Sequence, residues 1–518
     1  MTTASTDATE PVDVLIVGAG PAGLTLAIDL LRRGLAIRIV SAAPGDFPGS
    51  RAKGVQPRTL EVFDDLGVLT EIRAHGRDYP PLGEHRDGRI ITHEMAERRE
   101  PTEAVPYPNG LMVAQHDTDA VLRRRVEELG GVVEFDTRFV ELEQDADGVT
   151  ATVDGPAGAQ RIRSRYLAGA DGGSSAVRAA TGVAFPGTTD ETDRMLIADL
   201  VVSGLDRDHW HMWPAPRLAL CPLPDGETFQ LMVKLDPDEP VDVDRAALEA
   251  RIRRHPDTVD LTVEEVRWSS VWRPNIRLAE RYRSGRVLLL GDAAHVHPPT
   301  GGQGMNTAIG DAYNLGWKLG QVLAGAPDAL LDSYEAERRP IAARVLGLST
   351  HLYERTAGQR IASMARGEEE RQLTLSYRGG PLASGPDPTA DGSAAVVQAG
   401  DRVPNVCWQD ADGQQQRLFH HLRGPHFTVL AIGDAAVPVE MPWPAVGAAL
   451  HRVPVAGRAA AHVAEAIGLG GPALVLIRPD GYLAAVRPAG DRDLGRMPEA
   501  DTVTTFTALA LPERQPTR

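Results

Sequence analysis

The stretch from Gly285 to Leu319, GRVLLLGDAAHVHPPTGGQGMNTAIGDAYNLGWKL, is where this sequence concentrates residues able to do chemistry. A run of buried-strand type, Val287 to Leu290, ends at Gly291-Asp292. It passes into Pro298-Pro299-Thr-Gly301-Gly302-Gln-Gly304, and a helical pattern begins at Met305-Asn306. Strand, glycine loop and helix start, in that order, aim backbone N–H groups and the positive end of a helix dipole at an anionic ligand. The dipole contributes ~0.3–1 kcal/mol, and about 2 kcal/mol when partly buried.

A second such place lies near the start of the chain. Val12 to Val17 (VDVLIV) is a β-branched run of the kind buried in a parallel sheet, and it enters Gly18-Ala-Gly20-Pro21-Ala22-Gly23. A helix pattern from Leu24 to Arg33 and a strand from Ala36 to Val40 complete a βαβ unit with GxGxxG in its first turn. Gly18 permits the tight turn, Gly20 lets the backbone approach a pyrophosphate, and Gly23 lets helix and strand pack closely. Ser41 stands at the end of the second strand, where an acidic residue usually holds ribose hydroxyls; it offers one uncharged hydrogen bond in place of a bidentate acceptor.

Further groups are spaced along the chain to meet these turns. In Gly49-Ser-Arg51-Ala-Lys-Gly, Arg51 could fold over bound phosphates or be a solvated loop cation, and Gln115 opens an amphipathic helix, Thr118 to Leu129. Tyr166 to Ala170 is a short apolar run that ends in Asp171-Gly172-Gly-Ser-Ser175. Asp171 is placed either to hold part of a nucleotide or to cap its own helix. From Arg194 to Arg273 the pattern turns to strand alternation, interrupted by a helix at Arg245 to Arg254. Four of the seven tryptophans (210, 213, 268 and 272) fall there. A mostly antiparallel sheet carrying bulky residues would form one wall of an apolar pocket.

Composition excludes several classes. A net charge of -17 and a pI near 5.4 argue against nucleic acid as a partner. Cys221 and Cys407 are the only cysteines, too few for a disulfide framework or a thiolate metal site. No apolar run reaches the ~18–20 residues a membrane helix needs, and the first residues lack the features of a signal peptide. The expectation is a soluble cytoplasmic protein of about two to four domains. Residues 379–400 read as a linker, and the part beyond it, with strands at Phe427 to Ala431 and Ala473 to Ile477 and a helix at Arg458 to Ile467, as a small α/β unit without CxxC.

Three signatures in sequence order, Gly18–Gly23, Gly169-Ala-Asp171-Gly172 and Gly291-Asp292-Ala-Ala-His295 with Pro298–Asn306, resemble the single-component FAD-dependent aromatic hydroxylases of the para-hydroxybenzoate and phenol hydroxylase type. The length and Val475-Leu-Ile-Arg-Pro-Asp-Gly-Tyr482 are similar to the branch acting on polyketide-type polycyclic aromatics and rifamycins, whose thioredoxin-like domain has lost its cysteines. The resemblance implies an α/β fold: a discontinuous Rossmann-like FAD-binding domain (1–76, 109–190 and 274–375), interleaved with a mostly antiparallel substrate domain (77–108 and 191–273). A linker (376–400) and a C-terminal thioredoxin-like domain (401–518) complete the chain.

It also implies residue roles. Gly18, Gly20, Pro21, Ala22 and Gly23 take the FAD pyrophosphate, and Arg51 and Gln115 contact phosphate and ribityl parts. Val140 lies near the adenine, Asp171 and Gly172 belong to the motif linked to FAD and NADPH use, Gly291 and Asp292 hold ribityl or pyrophosphate oxygens, and Pro299, Gly301, Gly302, Gly304, Met305 and Asn306 cradle the flavin ring. Ser41 and Ser174-Ser175 depart from the family pattern. Pro298, Pro299, Gly302 and Gly304 form the flavin environment; no catalytic base is named, no metal is expected, and His295 and His297 are expected to be structural. Trp210, Met212, Trp213 and Arg217 are the substrate-contact expectations.

The implied reaction is hydroxylation of a phenolic or polycyclic aromatic through a C4a-hydroperoxyflavin, with bound FAD, transient NADPH and O2 as co-substrate. The single GxGxxG suits a nicotinamide donor that visits and leaves. The alternatives are Baeyer–Villiger or epoxidising chemistry on a similar substrate, a dinucleotide-dependent dehydrogenase, and a non-catalytic flavin- or ligand-binding protein. A small aromatic molecule is the expected partner, and a homodimer is left open.

Overall fold

The computed structural model describes residues 11–213, 218–236, 238–255, 258, 260–298, 301–357, 367–383, 397–433, 443 and 446–488. Arg217, Pro299, the middle of the expected linker and part of the helix expected over Glu354 to Arg371 lie outside them.

The strand Val12–Val17 buries Val14 to Val17 and sits inside a parallel sheet. On one side it pairs with Ile37–Val40, which pairs with Val133–Glu134. On the other it pairs with Gly158–Gly169, which pairs with Val287–Leu289, and an antiparallel strand Arg283–Ser284 closes that edge. Val17 is level with Gly169, and Gly169 with Leu289. All three glycine motifs therefore leave adjacent strands at the same sheet end, the crevice beyond the carboxyl ends where open α/β sheets bind ligands. The first half of Gly158–Gly169 extends past this sheet to pair with Val149–Gly155, which in turn pairs with Arg138–Gln144.

Two helices brace the sheet. Pro21–Leu31 comes after the first strand, and Gly304–Leu323 after the third motif as one rod; the helix expected from Asp311 is its second half. They approach so closely that a Cβ on Gly316 would lie 2.2 Å from an Asp29 carboxylate oxygen. Asp29 is fully buried there and is neutralised by Arg32 and Arg33. In place of the single helix expected from Ala326, a short 3-10 turn Asp328–Leu331 leads into Asp332–Ala357.

The second large sheet has seven strands, in the order Thr262–Trp272, Arg194–Ser203, Thr228–Leu235, Leu218–Pro222, Trp210–Trp213, Leu82–Arg86, Arg89–His93. Only the Trp210–Trp213/Leu82–Arg86 pair is parallel. One face buries Leu196, Ala198, Leu200, Trp213, Leu218, Leu220, Leu231 and Val233 against the helix Arg245–Ile252. The alternation of a strand sends Met195, Ile197, Asp199, Trp210, Met212, Ala219, Cys221, Gln230 and Met232 to the other face.

The C-terminal unit holds a four-stranded mixed sheet, ordered Leu450–Val455, Phe427–Ile432, Ala473–Ile477, Leu483–Pro488, with the helix Arg458–Ile467 packed on it. Its turn Arg478-Pro-Asp480-Gly481 inserts into the body of the protein. Arg478 reaches both carboxylate oxygens of Glu337 at 2.7 and 2.9 Å, Asp480 receives the Trp317 indole at 3.2 Å, and Lys318 donates to Glu337 at 2.7 Å. The long helix Gly304–Leu323 is thus gripped in its middle by the C-terminal unit.

Candidate cofactor and substrate site

At the first motif, Gly18 has φ +110°, and a Cβ there would lie 2.2 Å from the Ala170 carbonyl oxygen; a Cβ on Gly23 would lie 2.0 Å from Gly18 O. These two glycines serve close packing between motifs. Gly20 differs, because a Cβ there would meet nothing within 4 Å. Open space faces the start of Pro21–Leu31, a helix whose first turn has neither a side-chain cap nor an acidic residue. Gly304–Leu323 likewise begins without a side-chain cap or an acidic residue. Two helix starts with orphan N–H groups, facing one crevice, fit the anionic groups of a dinucleotide.

Asp292 lies in the same crevice. Its side chain is reachable by solvent, yet burial among protein atoms raises its carboxyl pKa, with His295 and Arg51 pulling the other way. Arg51 is thereby brought into the field of Asp292, although the two are far apart in sequence. The Arg51 guanidinium lies 5.4 Å from the Phe47 ring centroid and 6.0 Å from that of Trp268. Gly49 presses the loop flat on Trp268, where a Cβ would come within 2.3 Å of the indole. Gln115 holds the same loop by accepting the Ala52 N–H at 3.2 Å.

The glycine loop of the third motif is fastened by side chains. Asn306 donates to Gly54 O at 2.8 Å and Gly302 O at 2.6 Å, and accepts the Gln56 N–H at 2.8 Å. Gln56 and Gln303 both donate to Gly301 O. Gly301 and Gly302 have φ of +86° and +62°, a left-handed pair that suits glycine. Behind the loop, His295 shares a 2.7 Å hydrogen bond with Asp311, which also takes the Gly291 N–H and the Arg338 guanidinium. His295 Nε2 is thereby tied to Asp311, while its Nδ1 is buried with no hydrogen-bond partner among the described residues. His297 is arranged the other way round: its Nδ1 bonds Pro298 O at 2.8 Å, and its Nε2 is the buried nitrogen with no hydrogen-bond partner among the described residues.

Asp171 makes bonds of the capping kind beside Ser175, which is the N-cap itself and accepts the Arg178 N–H at 2.9 Å. Its carboxylate accepts the Ser175 hydroxyl at 2.5 Å and the Val177 N–H at 3.1 Å at the start of Ala176–Ala180. Arg178 in that helix donates to Ala293 O and Gly173 O, locking the second motif to the third, while Gly172 has φ +82° and open space before it. The Ser41 hydroxyl oxygen accepts the Ala43 N–H at 3.3 Å, so one of its lone pairs serves its own turn. Val140 is exposed and sits at a register shift, where Phe139 faces Val153 and Glu141 faces Thr152. It comes three residues after Thr137, whose N–H bonds Ser41 O. Met305 is half-buried against the main core, and Ala22 and Pro298 are buried.

The substrate-side expectations divide. Trp210 and Met212 lie on the face of the seven-stranded sheet that meets the cofactor loops, and the Lys53 ammonium stands 4.3 Å over the Trp210 ring. Trp213 does not belong with them. It points to the opposite face, into the core beneath Arg245–Ile252, because adjacent strand residues face opposite ways.

Sequence reasoning missed the polar seam between sheet and loop. Asp199 accepts Ser50 N–H at 2.7 Å and its hydroxyl at 2.5 Å. Gln230 donates to Ser50 Oγ at 2.7 Å and accepts from Lys53. The one signal available was an acid and an amide within otherwise apolar strands.

The family described as "FAD binding domain" matches residues 11–349. A flavin-dependent monooxygenase of Mycobacteroides abscessus is 38% identical over 92% of this chain and 97% of its own. A 12-dehydrotetracycline 5-monooxygenase/anhydrotetracycline 6-monooxygenase of Streptomyces rimosus is 35% identical over 91% and 94%. Among solved structures, a ternary complex of aklavinone-11 hydroxylase with FAD and aklavinone superposes with a TM-score of 0.78 at 28% identity, covering 98% of this chain and 100% of that one. With orphan helix starts facing one crevice and an apolar sheet tied to its rim, this chain belongs to the FAD-dependent monooxygenases of the aromatic-hydroxylase family.

Proposed function

We propose that this enzyme hydroxylates a phenolic, polycyclic aromatic substrate of polyketide type, with NADPH as transient electron donor and O2 as co-substrate. The observation that carries this reading is the seam formed by residues 49–56. That one segment is tied to the apolar face of the seven-stranded sheet through Asp199 and Gln230 and to the glycine loop through Asn306. A flat aromatic between Trp210, Met212, Ile197 and Met232 would therefore lie beside whatever the glycine loop holds.

Bound FAD supplies hydride acceptance and oxygen activation. The chain's own residues do the rest. Gly20 and the start of Pro21–Leu31 receive the pyrophosphate, Arg51 and Gln115 close the loop over it, and Asp292 takes ribityl hydroxyls. The N–H groups from Gly302 to Asn306 face the ring's electron-rich edge, and Ser41 with Val140 flanks the adenosine. The apolar sheet face keeps water from the reacting atoms. The strand order of the C-terminal sheet, with a parallel pair and then two antiparallel strands, supports a thioredoxin-like unit from 401 onward, with 376–400 as its connection. The same strand assignments support dividing the rest into an FAD-binding part (1–76, 109–190, 274–375) and a substrate part (77–108, 191–273).

The test is the visible spectrum of the purified protein and FAD reconstitution, and then NADPH oxidation with anhydrotetracycline, aklavinone and related phenolic polycycles. Substrate-stimulated NADPH consumption with a product heavier by one oxygen atom is expected. A colourless protein that cannot take up FAD, or NADPH oxidation that no aromatic stimulates, refutes the reading.

A further inference from the structure

His297 is a partly buried titratable group whose Nε2 is buried, and neither cofactor binding nor substrate placement gives it a task. It belongs to the segment between the strand His295–Val296 and the glycine loop. Its Nδ1–H is committed to Pro298 O at 2.8 Å, which fixes the neutral tautomer with a lone pair on Nε2. That nitrogen is buried and accepts nothing from the described residues. It lies 3.5 Å from where a Cβ on Gly304 would stand, at the first residue of the long helix. A bare acceptor at the positive end of a helix is an unfavourable place for a cation and a suitable place for one to form when negative charge arrives.

We propose that His297 compensates the charge of the reduced cofactor, remaining neutral while the ring at the glycine loop is oxidised and taking a proton on Nε2 when that ring gains two electrons. The proposal rests on FAD binding at this loop. Burial pushes the imidazole down to about 4, so the ring starts uncharged at neutral pH. The other charged groups around it are accounted for. Asp311 and Arg338 form an ion pair at 2.8 Å, Asp311 also hydrogen-bonds His295, and Asp292 lies in the fields of His295 and Arg51. A proton on His295 would oppose one on His297. The balance is simple: two electrons and one solvent proton go to the isoalloxazine, leaving one net negative charge, and a second solvent proton goes to His297 Nε2.

The experiment uses the FAD-loaded protein and dithionite with redox dyes, so that neither NADPH nor a substrate is required. The midpoint potential is measured from about pH 5 to about pH 8, the range in which imidazoles change charge. The wild type is expected to take up two protons per two electrons in the acid part of that range, a slope steeper by about 30 mV per pH unit than one proton gives. His297→Asn, which keeps a donor to Pro298 O but cannot titrate, is expected to show one proton throughout, and His297→Gln serves as the second variant. Equal slopes in wild type and variant overturn the proposal. Should neither variant hold FAD, NMR of labelled histidine in the wild type reads the same ring, and no change of its charge on reduction overturns the proposal as well. A protein that binds no FAD at all overturns this inference together with the function it rests on, and is told apart by its lack of colour.

Discussion

Asn306 and Gly54 are 252 residues apart and are joined by a 2.8 Å hydrogen bond from the Asn306 amide to the Gly54 carbonyl. The same side chain holds Gly302 O and the Gln56 N–H, so a single residue fixes the glycine loop, the helix start and the segment that meets the substrate sheet. Asn306→Ala would leave three backbone groups without this partner, and those of Gly54 and Gln56 are buried, where a stranded group costs about 1–3 kcal/mol. The expected result is FAD affinity at least about tenfold weaker, with a lowered Tm. Fluorescence titration with FAD checks it, and unchanged affinity would show that the loop holds its shape without the amide.

Gly18 and Gly20 separate folding from binding. Gly18→Ala places a methyl against Ala170 O in a left-handed conformation, so it should fail to fold or lose several degrees of Tm. Gly20→Ala meets no atom of the protein, so the FAD-free variant should melt as the wild type does. Its methyl would instead occupy the approach of the pyrophosphate, and FAD should be lost. Differential scanning fluorimetry with and without FAD distinguishes the two. A Gly20→Ala variant stabilised by FAD as much as the wild type would move the pyrophosphate elsewhere.

These local features were readable because a glycine turn is written in adjacent residues. Features set by the register of distant strands were not. The alternation in Trp210-His-Met212-Trp213 says that two faces exist. Which face meets the cofactor is decided by Asp199 and Gln230 bonding Ser50, contacts across 149 and 180 residues. Asp171 was legible as either a ligand or a cap, and only the Val177 N–H settles its present partner. The hold of Arg478 on Glu337, across 141 residues, has no local signature beyond a turn motif.

The faces of that strand give a third prediction. Trp213→Ala opens a cavity beneath Arg245–Ile252 and should cost about 3–5 kcal/mol of stability. Met212→Ala, on the cleft side, should cost less and change KM for aromatic substrates severalfold while leaving FAD affinity intact. Thermal unfolding and steady-state kinetics across a substrate panel check the pair. A larger KM change in a folded Trp213→Phe variant than in Met212→Ala would reverse the assignment of faces.

The turn Arg478–Gly481 makes stability depend on acid. Burial alone would raise the Glu337 carboxyl, but Arg478 and Lys318 outweigh it and bring the pKa from 4.5 down to about 2. Lys318 is not compensated to the same degree: its burial beside the Arg478 charge lowers its pKa to about 8 in spite of Glu337. For Glu337 the unfolded chain binds the proton more tightly, so its contribution is complete above about pH 4.5 and is lost as pH falls toward about 2, on the order of 3 kcal/mol. For Lys318 the unfolded chain again holds the proton more tightly, so stability should rise as pH increases from about 8 toward 10.5. Glu337→Gln strands the buried Lys318 ammonium, while Arg478 keeps Asp480, and should lose about 3–5 kcal/mol at neutral pH while flattening the acid limb. Urea denaturation at a series of pH values reads both effects. A variant with the wild-type acid slope would assign the acid sensitivity to another carboxylate.

Ser41 offers the converse test, a gain. Its hydroxyl oxygen already accepts the Ala43 N–H, which leaves one proton to donate and no charge to offer. Ser41→Glu at the end of Ile37–Val40 would present a carboxylate to ribose hydroxyls. A charge-assisted hydrogen bond is worth about 1.5–3 kcal/mol, so FAD should bind about tenfold or more tightly if its adenosine lies there. Isothermal titration with FAD and with riboflavin 5′-phosphate gives the readout: the gain must appear with the dinucleotide and be absent with the mononucleotide. A gain common to both, or no gain with FAD, would place the adenosine away from Ser41 and with it the neighbouring Val140.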